Sequence, residues 1–230
     1  MTIAKKNIKD FWAAQAKKIN LKGESISNLE ENEQLLEEKI ILEYKKIFPI
    51  IETCIGKDSR VLDLGSGTGQ WAYRLSPLVK SVTLVEFSEE MMRLAKKNSE
   101  GKFNNLKFVL SEAQDFLSLE VYDLIWISGL LIYLTDQELF KLINNCRKML
   151  SSNGRLILRD GTGLGKRYEI NNQFSQNLGH NYSATYRTSE EYITQFSQNG
   201  FDLIDHCDVF EEGSKLNKWE ETRLRLYQFK

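Results

Sequence analysis

The stretch Val61-Leu62-Asp63-Leu64-Gly65-Ser66-Gly67-Thr68-Gly69 decides the fold. Its first half is a short apolar run, the pattern of a strand buried on both faces. Its second half sets three glycines at alternate positions, directly before a helical pattern from Gln70 to Leu78 with Trp71, Leu75 and Leu78 on one face. Glycine lets the backbone turn with positive φ and lets a bound molecule approach the main chain closely. Strand, glycine turn and helix form the repeating unit of open parallel sheets, which bind ligands at the carboxyl ends of their strands.

Outward from this stretch the same alternation continues. Val82 to Glu86, Leu106 to Leu110, Tyr122 to Ile127 and Arg155 to Arg159 read as strands. Glu89 to Asn98 and Gln137 to Leu150 read as helices, the second with Leu139, Leu142, Ile143, Cys146 and Leu150 inward. This predicts a mostly parallel sheet with helices on both faces. Upstream, Leu36, Ile40, Tyr44, Ile47 and Phe48 have helical spacing, and residues 1–55 are expected to form a helical lid or a homodimer contact. Downstream, a helix over Ser189 to Gln198 precedes two runs, Phe201 to Phe210 and Trp219 to Phe229, with no helix between them. Those two should pair antiparallel at one edge of the sheet. Residues 161–187 show no clear period, so a long loop bordering the acceptor is expected there.

Bulk composition narrows the function. The 230 residues carry 31 basic and 32 acidic side chains, a formal charge of −1, which disfavours a nucleic-acid partner. No apolar run approaches the roughly 20 residues of a membrane span. Cys54, Cys146 and Cys207 are odd in number and widely spaced, so reduced cysteines and a cytoplasmic location are expected, and no metal site.

Glu86 ends the second strand, 21 residues after Gly65, where an acid can accept hydrogen bonds from both hydroxyls of a ribose. Two kinds of nucleoside cofactor use that arrangement. A dinucleotide wants G-x-G-x-x-G, so that its pyrophosphate meets the helix N-terminus. Here the spacing is G-x-G-x-G with Gln70 at the sixth position, and Asp63 sits inside the turn. An acid there suits an ammonium group and repels a phosphate, which favours S-adenosylmethionine (SAM).

Asp63-Leu64-Gly65-Ser66-Gly67-Thr68-Gly69 resembles motif I of the class I SAM-dependent methyltransferases. Val85-Glu86-Phe87-Ser88 resembles their ribose-binding strand end, Ser111-Glu112-Ala113-Gln114-Asp115 their adenine segment, and Asp123 to Ser128 their fourth strand. The resemblance implies the Rossmann-like fold with a seven-stranded sheet, SAM as cofactor, and S-adenosylhomocysteine as product. It implies that Asp63 holds the amine and that Gly65, Ser66, Gly67 and Gly69 shape the methionine loop. Glu86 would bind the ribose, Phe87 and Met91 flank the adenine, Glu112 and Ala113 meet its edge, and Ser128 line the floor. Trp12 is a candidate to close the site.

Methyl transfer from a sulfonium asks mainly for alignment of the acceptor. A hydroxyl acceptor also benefits from a general base, for which Asp160 and His180 are the candidates. Tyr168, Tyr182, Tyr186 and Arg187 are candidates for a polar aromatic wall, with Arg187 meeting an acidic group of the acceptor. The fourth strand continues as Ser128-Gly129-Leu130, without the Pro-Pro motif used for DNA bases. The acceptor expected is a small polar molecule or a glycan end, methylated on O or N. The competing reading is a catalytically silent SAM-fold module.

Overall fold

A computed structural model describes residues 8, 10–16, 33–175 and 180–230. In chain order they form α1 (Glu33–Glu52), β1 (Arg60–Leu64), α2 (Gln70–Leu75), β2 (Ser81–Glu86), α3 (Glu89–Ser99), β3 (Leu106–Leu110), β4 (Tyr122–Ser128), α4 (Asp136–Met149), β5 (Leu150–Gly163), β6 (Tyr168–Ser175), β7 (His180–Tyr186), α5 (Ser189–Gln198), β8 (Leu203–Asp208) and β9 (Thr222–Phe229). Residues 10–16 are also helical.

One seven-stranded sheet has the order β3-β2-β1-β4-β5-β9-β8. The pairs from β3 through β5 are parallel, while β9 runs antiparallel to both β5 and β8. The order reverses at β1, whose neighbours are β2 and β4, and a crevice opens there at the strands' carboxyl ends. Each face of the sheet carries its own core. Leu62, Leu64, Ile125, Ile127 and Leu158 pack against α4 and α5. Val61, Leu84, Trp126 and Ile157 pack against α1 and α2. Consecutive strand residues point to opposite faces, which is why both sets must be apolar. Truncating one such leucine to alanine costs about 2–5 kcal/mol.

Helix ends are specified locally. Thr135 caps α4 and Thr188 caps α5, each closing a box with the glutamate three residues on, Glu138 and Glu191. Such a cap contributes about 1 kcal/mol. Among the described residues no helix is long and apolar enough to cross a membrane.

Residues 161–187 depart from expectation. In place of a long loop, β5 continues to Gly163, and β6 and β7 form a separate two-stranded hairpin. The alternation of Tyr168 and Ile170 with Tyr182, Ala184 and Tyr186 is real, but a bulge between Ile170 and Gln173 breaks it. Asn172 sits there with φ 48°, and its amide donates to Ser183 Oγ at 2.9 Å. A polar ribbon with a bulge has no long periodic run to detect.

Candidate functional site

The β1 turn is wired to the neighbouring strand. The amides of Gly65 and Ser66 both donate to the Val85 carbonyl, at 2.9 and 3.1 Å. Gly65, Gly67 and Gly69 all lie in the left-handed region, with φ of 73°, 55° and 82°. At Gly69 space adds to conformation, because a Cβ would stand 2.8 Å from the Tyr73 ring. Gly67 turns its amide to Glu86 Oε2 at 3.0 Å, and the Ser88 amide donates to Oε1 at 2.9 Å. These bonds fix the Glu86 carboxylate while leaving it acceptor capacity for hydroxyl donors. Burial raises its pKa, and the amide bonds oppose the shift.

Asp63 is 2% exposed, and its Oδ2 has no partner among the described residues. Burial, and secondarily the Glu86 charge, push its pKa to about 8, against a bond from the Ala72 amide. A buried carboxylate oxygen without a donor is costly unless a cationic ligand completes it. Ser66 Oγ is also buried without a partner.

Both acids line a cavity of about 780 Å3. Phe87, Met91, Glu112, Ala113 and Ser128 line it as well, and Glu112 Oε2 accepts from Gln114 Nε2 at 3.2 Å. The far end is walled by Tyr133, Tyr168, Tyr182 and Tyr186, with Trp12 of the N-terminal helical segment. Trp12 packs edge-on to Tyr133, which packs edge-on to Tyr182, at 5.7 and 6.1 Å between ring centroids. The Tyr182 and Tyr186 hydroxyls are 3.2 Å apart. Burial pushes the phenols of Tyr133, Tyr182 and Tyr186 above their ordinary value. Gly161 is required here, since a Cβ would stand 2.7 Å from the Tyr186 ring.

Residues 61–154 match the family described as methyltransferase domain. The N-terminal Xaa-Pro-Lys N-methyltransferase 1 of Rattus norvegicus is 36% identical over 106 residues, covering 44% of this chain and 47% of that protein. Phosphoethanolamine N-methyltransferase 1 of Caenorhabditis elegans is 25% identical over 239 residues, covering 96% of this chain and 47% of that protein. The chain thus spans about half the length of the curated relatives it matches. The solved DhpI-SAH complex shares the fold at a TM-score of 0.69 and 16% identity, covering 98% of this chain and 95% of the other. Over residues 61–154 the chain is thus similar to methyltransferase domains, and over nearly its whole length it shares the fold of that SAH-bound protein. The structure brings Gly65, Ser66, Gly67, Asp63 and Glu86 to one cavity, and places Tyr168, Tyr182 and Tyr186 on the wall of the same cavity.

Two residues are placed differently. Arg187 is not part of the acceptor wall: it is fully buried and does not line the cavity. Its Nη1 and Nη2 donate to the Leu131 and Leu134 carbonyls at 3.0 and 2.7 Å, and Nε donates to Asp136 Oδ1 at 2.8 Å. The guanidinium therefore staples the turn between β4 and α4. Asp160 borders the cavity but is fully buried, with Oδ2 accepting from the Leu131 amide at 2.6 Å and Oδ1 from the Gly161 amide at 2.8 Å. Burial pushes its pKa to about 6 despite those bonds. This geometry makes Asp160 a holder of the Leu131–Tyr133 turn in place of an accessible base. His180 opens β7, and its side chain lies outside the described residues.

Sequence reading passed over Tyr133, Glu43 and Arg159. Arg159 donates through Nη2 to Glu43 Oε1 and through Nη1 to Ser128 Oγ, the latter at 3.4 Å. The strand period offered a signal for Arg159: it adjoins Asp160 in β5, so the two must face opposite sides of the sheet.

Proposed function

We propose that this chain transfers the methyl group of SAM to a nitrogen of a small polar acceptor held at the tyrosine-walled end of the cavity. The observation that carries the reading is one cavity joining an unpartnered buried acid beside the glycine turn to an aromatic wall. Asp63 Oδ2 would take the cofactor's ammonium, Glu86 its ribose hydroxyls, and Glu112 with Ala113 the adenine edge, between Phe87 and Met91. Bound SAM supplies a methyl group already activated by the sulfonium charge.

The residues at the acceptor end align and enclose. Asp160 and Arg187 brace the turn that presents Tyr133, and the helical segment 10–16, with Trp12, serves as a lid that excludes water. In-line attack needs the acceptor atom within roughly 3–3.5 Å of the methyl carbon. An amine arriving unprotonated needs no base, whereas a sugar hydroxyl does. Asp160 has both oxygens engaged and the tyrosines hold their protons, so the described residues suit an amine better. Likeness to N-methyltransferases along nearly the whole chain supports the same choice. Three unpaired cysteines fit work in a reducing compartment such as the cytoplasm.

The test is calorimetric titration with SAM, S-adenosylhomocysteine and NAD, followed by transfer of labelled methyl to matched panels of amines and sugars. Binding of both adenosyl ligands with label entering amines is the expected result. Binding of NAD alone overturns the cofactor assignment, label entering only sugars overturns the choice of nitrogen, and binding without turnover returns the weight to a silent module.

A further inference from the structure

Side chains of both charge signs line the cavity. Asp63, Glu86 and Glu112 sit around the proposed cofactor end, while Glu138 and Asp160 sit beside the tyrosine wall. The basic side chains that line the cavity among the described residues are Lys39 of α1, Arg74 of α2, Arg159 of β5, Lys218 of the β8–β9 connection and Arg223 of β9. One acid, Glu43, stands among them, and it pairs with Arg159. The strand period turns Asp160 to the Leu131 side of β5 and Arg159 to the α1 side, while Arg223, in register with Thr162, leaves β9 on the Asp160 side near the cavity mouth.

These cations are built into the wall. Arg74 lies over the Tyr44 and Trp71 rings, 5.4 and 5.5 Å from their centroids. Arg223 Nη1 donates to the Trp219 and Thr222 carbonyls at 2.7 and 2.9 Å, which holds its guanidinium at the mouth of β9. The Arg159 side chain is 12% exposed, and its Nε is buried with no partner among the described residues. Glu43 and Ser128 engage Nη2 and Nη1, which leaves the Nε donor of Arg159 for a further acceptor. Guanidinium forks match the planar or tetrahedral oxygens of carboxylate and phosphate.

We propose that this basic end receives an anionic group of the acceptor, a phosphate or a carboxylate, so that the methylated amine belongs to a small zwitterion. The proposal rests on the function proposed above and adds the acceptor's second recognition element. Arg159 is its centre, Arg223 its outer contact, and Glu43 holds Arg159 in readiness while competing with the ligand.

The experiment compares amines that differ only in the anion, with the protein saturated in S-adenosylhomocysteine: phosphoethanolamine against ethanolamine, and glycine against glycinamide. At least one anionic member should bind about tenfold or more tightly than its neutral partner. Arg159→Gln and Arg223→Gln should each erode that preference, and Glu43→Gln should strengthen it, with affinity for S-adenosylhomocysteine held within about twofold throughout. The opposite sign at Glu43 separates ligand binding from a merely structural ion pair, which would weaken binding in both variants. Arg223→Gln keeps the test open should the buried Arg159 variant fail to fold. Equal binding of charged and neutral partners overturns the proposal. So does a loss of S-adenosylhomocysteine affinity with the anionic preference intact, which would assign the basic end to the cofactor's own carboxylate. Failure of S-adenosylhomocysteine to bind the wild type at all would instead reject the underlying function.

Discussion

The unpartnered oxygen of Asp63 makes cofactor binding a protonation event. In the unliganded protein burial and Glu86 raise the Asp63 pKa to about 8, so at pH 7 only about 9% of the molecules carry the carboxylate. An ammonium placed against Oδ2 selects that ionised form. Affinity should therefore be lost as pH falls through and below the raised pKa. The ionised fraction is about 0.3% at pH 5.5 and about 9% at pH 7, which predicts a rise of about thirtyfold in SAM affinity across that window. The ligand's own α-amino group stays mostly charged over the same range. Binding at pH 7 should release about 0.9 proton, read by calorimetry in buffers of different ionisation enthalpy. Because Glu86 shifts in the same direction, the Asp63→Asn variant makes the assignment: it should bind more weakly at pH 7 and lose most of the pH dependence. Stability of the unliganded protein runs the opposite way. A raised pKa favours folding fully below the unfolded value and less as pH climbs toward 8, so Asp63 should lower stability by up to about 1.4 kcal/mol per unit, and Asp63→Asn should remove that share while Glu86 and Asp160 keep theirs. An affinity constant within twofold from pH 5.5 to 7, with no proton release, would refute the placing of the ammonium.

Glu86→Ala removes the ribose acceptor and should weaken SAM binding by about 1–3 kcal/mol, measured by titration with the fold checked by circular dichroism. Arg187→Met removes the side-chain donor to the buried Leu134 carbonyl, while the Leu131 carbonyl keeps the Leu134 amide and Asp136 keeps Arg167, and it should lower unfolding free energy by about 1–3 kcal/mol in a urea titration. Gly161→Ala would press a methyl onto the Tyr186 ring, so methyl transfer should fall at least about tenfold while affinity for S-adenosylhomocysteine changes little.

How much was legible from residues alone differs between the two ends of the cavity. The cofactor end is built from contiguous segments, residues 61–69, 86–91 and 111–115, each leaving one parallel strand. Strand period and glycine spacing are local signals, and parallel pairing of β1 with β2 and β4 then delivers Asp63 and Glu86 to one crevice with little freedom to do otherwise. The apolar strands, the helical faces and the antiparallel pair of β8 with β9 follow from the same local patterns, although β9 lies inside the sheet next to β5 and only β8 forms the edge.

The acceptor end depends on long-range choices. Arg187 and Arg223 are both polar residues beside a strand end, and nothing in their neighbourhood distinguishes them. Packing of the hairpin onto the Leu131–Tyr133 turn buries the first among carbonyls and leaves the second on the cavity wall. Asp160 looked like a base because it follows a central strand, but the amides of Leu131 and Gly161 converge on it only once β4 and β5 are paired. The sequence by itself determined the sheet, the turn and the acids that line the crevice beside it, because those depend on spacing within single segments. Only the tertiary structure decided which cations and phenols line the far end of the cavity, because a side chain's partners there come from segments tens of residues away.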